Sequence, residues 1–164
     1  MKLKFVLAAA MAVVSLCTVG IAGAAKKVSG TTLHLVEKDG AFQYIDNKPL
    51  NPNKPPSMGD MFVFSSTLLT KSMKRTGALY AECVVTRGGQ HMLAQCTGTF
   101  TLAGGDLALQ ALIKDSNAKV PDHIVIVGGT GAYEGATGSI TAVSRGDNSP
   151  YTDDTIHLVL PKQA

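Results

Sequence analysis

The stretch from Ile124 to Val143 constrains this chain more than any other. It reads as a β-branched run, Ile124-Val125-Ile126-Val127, then a corner with glycines at 128, 129, 131, 135 and 138, then a second strand-like run from Ile140 to Val143. β-Branched residues fit a pleated, half-buried surface, while glycine supplies positive φ and room for close backbone approach. The pattern therefore predicts a strand that is turned sharply and re-aimed, with Tyr133 plugging the corner. A strand followed by Gly129-x-Gly131 also raises dinucleotide binding, which needs a crossover helix whose N-terminus holds the pyrophosphate. The residues after the turn favour a strand, and Gly129, Gly131 and Gly135 miss the G-x-G-x-x-G spacing by one. The corner is read as scaffold.

Strand patterns recur along the rest of the chain. Thr31 to Glu37 alternates and is expected to end at Asp39-Gly40. A short apolar piece, Phe42 to Ile45, precedes a stiff loop from Asn47 to Ser57 that carries Pro49, Pro52, Pro55 and Pro56, residues that fix φ and cannot donate ladder bonds. Asp60 to Leu69 resumes strand character, and Lys71 to Gly77 reads as a polar connection. Ala78 to Gly88 and His91 to Leu102 form the clearest hairpin. Asp106 to Ile113, an irregular link from Lys114 to Asp122, and strands at Ile124 to Gly128, Gly138 to Arg145 and Thr155 to Leu160 complete the set. Eight strands with tight glycine turns and no amphipathic helical window indicate an all-β protein. Closure removes exposed edges, so the expected architecture is an eight-stranded antiparallel β-barrel of lipocalin-like shape, wide enough for packed side chains or one small ligand.

The hairpin also gives a register. With Gly89-Gln90 as a two-residue type II′ loop, Gly88 faces His91 and Cys83 faces Cys96 on the apolar face, close enough to bridge. Centring the turn on Gly88-Gly89 instead would offset the cysteines by two residues and leave Cys83 a free thiol. The first register predicts a cross-strand disulfide.

Compartment follows from the N-terminus. Lys2 and Lys4 precede an apolar run from Phe5 to Val14, and Ala22-Gly23-Ala24 has the form of a signal-peptidase site. The expected organisation is a signal peptide over 1–24 and one domain over 25–164, secreted or periplasmic, with no stable membrane anchor. Loss of Lys2 and Lys4 lowers the formal net charge from +3 to +1, so nucleic acid is not an implied partner. Cys17 leaves with the signal, and Cys83 and Cys96 remain in a compartment that permits disulfides. His34, His91, His123 and His157 show no metal spacing. The G-x-S-x-G elbow and the Gly-Lys-Ser/Thr of a phosphate loop are absent. No metal or cofactor is expected.

Five segments resemble the allene oxide cyclase barrel family, with plant dirigent proteins as more distant cousins. They are Leu35-Val36-Glu37, Met58 to Phe64, Glu82 to Val85, Gly105 to Gln110 and the corner from Val127 to Gly138. The resemblance implies an eight-stranded barrel that holds a small apolar molecule and steers its cyclisation or coupling, and it implies a homo-oligomer, a trimer. Glu37 matches the family's lumenal glutamate, Phe64 its phenylalanine and Cys83 its cysteine. The two asparagines that hold a water in allene oxide cyclases correspond to Asp39 and Ser66, an acid and a hydroxyl that can also bind water. The basic residues of the dirigent pattern correspond to Glu134 and Thr137.

The resulting expectation is a cyclase or isomerase with Glu37, Asp39 and Ser66 as its catalytic polar groups, and Phe64 and Cys83 lining the ligand site. Glu37 is the centre of it: in an apolar lumen desolvation raises its pKa and fits it for acid–base work. At a strand end beside Lys38 it would instead be a rim carboxylate. The alternatives are a lipocalin-like carrier, which needs only the pocket, and a dirigent-like guide of radical coupling.

Overall fold

In a computed structural model of the chain, which describes residues 30–47, 50, 54–114 and 120–161, the eight expected strands close into a barrel. They are β1 (Thr31–Ile45), β2 (Met61–Leu69), β3 (Arg75–Arg87), β4 (Leu93–Leu102), β5 (Gly105–Lys114), β6 (Asp122–Gly129), β7 (Thr137–Ser144) and β8 (Tyr151–Val159). Each pairs antiparallel with its sequence neighbours, and β1 closes on β8. The segment expected to be a signal peptide, residues 48, 49 and 51–53 of the proline loop and the middle of the 114–122 link lie outside the described residues.

The glycine corner behaves as its composition requires. β6 and β7 pair antiparallel across it, and a single turn of 3-10 helix, Gly131–Tyr133, fills the bend. Gly138 has φ +147°, and a Cβ there would run into the His157 carbonyl. Tyr133 packs against the barrel core. That core is Leu68, Phe100, Leu107, Leu109, Ile126, Ile140, Ile156 and Leu158, all inward-facing and buried. It closes the corner end of the barrel.

Four local expectations are corrected. β1 does not end at Asp39-Gly40 but runs on to Ile45 through a bulge between Asp39 and Phe42. Gly40 serves close approach rather than a turn, because a Cβ there would come within 2.6 Å of the Ser65 carbonyl. The β3–β4 hairpin keeps the expected register, with Cys83 opposite Cys96, but it shifts by one residue between Val85 and Arg87, so the loop is longer than two residues. The loop leans on the proline segment instead of closing on itself: Gly89 N–H donates to the Pro56 carbonyl at 2.9 Å, and Gly88 is backed by the same carbonyl. Finally, β3 begins at Arg75, inside the connection expected over 71–77, and β8 begins at Tyr151, four residues earlier than its apolar run suggested.

Candidate functional site

The cavity follows from residue size along the inward-facing positions. At the corner end these are leucine, isoleucine and phenylalanine. Farther along, β3 presents Ala81 and Cys83, β4 presents Ala94, Cys96 and Gly98, and β5 presents Ala111. Small side chains at facing positions cannot fill an eight-stranded barrel. A cavity of about 410 Å³ results, with Phe100 and Leu109 reaching it from the packed end.

Two unlike walls enclose it. On β2 to β5 the lining is Phe62, Phe64, Ala81, the two cysteines, Ala94 and Ala111. Cys83 and Cys96 are joined by a disulfide, with Cα atoms 4.0 Å apart, so the sulfur at the family's cysteine position is a covalent rung of the wall rather than a free thiol. On β6, β8 and β1 the lining carries the acids Asp122, Asp154, Glu37 and Asp39 together with Thr152, interspersed with Ile124 and Phe42, and with Ser66 beside them on β2. Glu37, Asp39, Phe64, Ser66, Cys83 and Cys96, dispersed over sixty residues of sequence, thus border one space.

Register explains how the acids meet. Glu37 lies opposite Thr152 and Leu35 opposite Asp154, which makes Glu37 and Asp154 diagonal neighbours on one face, within reach of long side chains. Asp39 pairs with Ser66 on the other flank. Glu37 sits in the middle of the extended β1 and not at a strand end, so it is a lumenal carboxyl and not a rim one.

The electrostatics turn on two buried carboxyl oxygens. Glu37 Oε1 and Asp154 Oδ2 are buried and have no hydrogen-bond partner. Burial, and after it the Asp39 charge, pushes Glu37 up to about 7. Burial, then the charges of Glu37 and Asp153, pushes Asp154 up to about 8. Asp122 is also raised by burial, opposed by His123. Near neutral pH the Glu37–Asp154 pair therefore holds at least one proton, and offers one group that gives a proton beside one that accepts it.

Asp154 was not found by sequence reasoning. The strand expected over Thr155 to Leu160 excludes it, whereas β8 begins at Tyr151. The signal was parity: counting back by twos from Leu158 and Ile156 puts Asp154 and Thr152 on the inward face.

A second buried acid stands at the mouth. Asp60, between the proline loop and β2, accepts from Tyr44 Oη at 2.5 Å, Asn47 N–H at 2.9 Å, Ser57 N–H at 2.6 Å and Ser57 Oγ at 3.1 Å. These donors, Tyr44 first, hold it down at about 2, and Tyr44 in turn is pushed up to about 12. The Tyr44 ring stacks on Phe62, centroids 5.3 Å apart, and Phe62 meets Phe42 at 6.0 Å. The acid thereby anchors an aromatic rim around the cavity.

Among the described residues no group of three or more His, Cys, Asp or Glu side chains is placed to hold a metal ion. No described helix is long and apolar enough to cross a membrane.

Comparison with solved structures finds the same barrel in proteins of several activities. A pyocyanin demethylase is 25% identical with a TM-score of 0.66, over 79% of this chain and 100% of that one. The pterocarpan synthase dirigent protein PsPTS1 is 17% identical at 0.65, over 82% and 97%. The Diels-Alderase AbmU from Streptomyces koyangensis is 13% identical at 0.61, over 85% and 72%. Comparison with curated proteins finds no match. The allene oxide cyclase barrel-like domain model matches residues 18–156, in agreement with the strand order and the glycine corner, and the chain belongs to that family.

Proposed function

We propose that this protein receives a small, largely apolar molecule in its lumen and catalyses its cyclisation or isomerisation by proton transfer. The observation that carries the reading is the Glu37–Asp154 pair, diagonal neighbours on the lumenal face whose Oε1 and Oδ2 atoms are buried without a hydrogen-bond partner. The names of its structural neighbours span demethylation, cycloaddition and dirigent coupling, so fold alone does not select among them. The side chains do.

The chemistry closed by this pair is a redistribution of protons. The ionised carboxyl removes a proton from one atom of the substrate, the protonated one delivers a proton to another, and the pair exchanges states with no net gain or loss. Asp39 and Ser66 would hold a water or a polar substrate atom beside Glu37. Phe64 and the disulfide wall orient the apolar frame and exclude solvent. Export, inferred from the N-terminal segment, supplies the oxidising compartment that the disulfide needs.

The test is a panel of conjugated and aromatic compounds, screened for products of unchanged mass and altered retention time. Glu37→Gln is expected to lower turnover at least about 100-fold while ligand affinity changes little. A wild type that binds ligands but converts none would instead be a carrier. Amino-terminal sequencing of exported protein, expected to begin at Ala25, tests the processing.

A further inference from the structure

We propose that the lumen selects molecules bearing a positive charge on a flat apolar frame, an amine or ring nitrogen set against the acidic wall with the frame on the opposite one. This deepens the lumenal reading above and rests on it.

Charge is the starting point. Glu37 and Asp39 from β1, Asp122 from β6 and Asp154 from β8 border the cavity, and no lysine, arginine or histidine is among its lining residues. The other groups facing the pair, Ser66 on β2 and Thr152 on β8, are uncharged. His123, next to Asp122, is exposed on the outer face. Asp153, next to Asp154, is held outside by Arg145, whose Nε and Nη2 reach it at 2.9 and 2.7 Å. Among the described lining residues no cation balances the acids.

Burial makes that imbalance consequential. Asp154 is 2% exposed, and its Oδ2 and Glu37 Oε1 lack any partner. An unpaired buried polar atom is costly, more so when charged. Burial lowers that cost by favouring the protonated form of the pair, raising both pKa values. A cationic ligand supplies the missing partner and favours ionisation, so its binding expels a proton.

The cation is organic. The acids are spread over three strands and do not converge on a point that would hold a metal ion. The facing wall of Phe64, Ala81, the disulfide and Ala111 offers apolar contact. One frame can meet both walls.

Calorimetry with three bicyclic probes of matched shape decides the matter: 1-methylquinolinium, neutral 1-methylnaphthalene and anionic 1-naphthoate. At pH 8 the cation is expected to bind at least about tenfold tighter than the neutral probe, with the anion weakest. The preference should shrink toward pH 5, and heats in two buffers of different ionisation enthalpy should reveal proton release. Glu37→Gln/Asp154→Asn should bring the affinities of the cation and the neutral probe to within about threefold of each other. The wild-type pH dependence stands without the variant. Equal binding of cation and neutral probe at pH 8 would overturn the charge selection while leaving the lumenal site intact. Binding of none of the three would overturn both.

Discussion

Asp60 and the Glu37–Asp154 pair are buried acids in one small barrel, and their surroundings are opposite. Asp60 accepts from two backbone N–H groups and two hydroxyls, and stays ionised at any ordinary pH. The lumenal pair has bare oxygens and keeps a proton at neutrality. A carboxylate with its hydrogen bonds satisfied can be part of the scaffold, here tying the proline loop to β1 and the aromatic rim. A carboxylate left unsatisfied in an apolar space is a standing cost that the rest of the barrel must absorb, and such costs concentrate where a protein works. Burial alone does not distinguish the two. Their hydrogen-bond partners do.

The comparison can be broken most severely through activity. Glu37→Gln and Asp154→Asn should each lower turnover about 100-fold or more, whereas Asp60→Asn, assayed at a temperature where it remains folded, should change kcat little; an equal loss in all three would dissolve the distinction. Next in size is the wall opposite the acids. Cys83→Ala/Cys96→Ala should lower stability by about 3 kcal/mol under oxidising conditions, from the chain freedom regained on unfolding, and chemical denaturation with and without reductant measures it. A variant as stable as the oxidised wild type would show that the rung is not needed to hold the cavity open.

Smaller effects concern the pH dependence of folding, and here the two kinds of acid act on opposite limbs. The folded pKa values of Glu37 and Asp154 lie above their unfolded ones, so the native state binds more protons and stability falls as pH rises from about 4 to about 8. Asp154→Asn should therefore gain about 1–2 kcal/mol at pH 8 and nothing at pH 4, read from urea midpoints. Asp60 has a depressed folded pKa, and its contribution is present above about 4 and lost as pH falls toward about 2. Asp60→Asn should flatten that acid limb and leave the alkaline limb as in the wild type. An alkaline limb changed by Asp60→Asn would contradict the assignment.

How far these features could be read in advance depended on whether the signal was local. The β6–β7 corner was legible because glycine tolerance and β-branching act within a few residues, and the structure keeps both strands and the bend. The Cys83–Cys96 pairing was legible through parity and the nearby turn, even though that turn proved longer, because the one-residue shift falls beyond Val85 and does not reach the cysteines. Glu37 came from resemblance. Asp39-Gly40 was misread as a strand end because a glycine that admits the Ser65 carbonyl looks the same in sequence as one that turns the chain. The surroundings of Asp60 and the pairing of Asp154 with Glu37 depend on more distant contacts, even though parity puts Asp154 on the inward face. Two of the four donors around Asp60, Tyr44 Oη and Asn47 N–H, come from sixteen and thirteen residues away, and the diagonal neighbour of Asp154, Glu37, lies on the first strand of the chain. Only closure of the barrel brings them together.

The central claim is that the lumenal pair holds a proton at neutral pH, and its most direct test is a carboxyl-carbon NMR titration of the ligand-free protein. The account predicts that two carboxyl resonances titrate between about pH 6 and 9, that Asp154→Asn removes one and moves the other downward, and that the Asp60 resonance stays ionised to the acid end of the scan. Titration of every carboxyl below about pH 5 would contradict it, and with it the proton-transfer role assigned to Glu37 and Asp154.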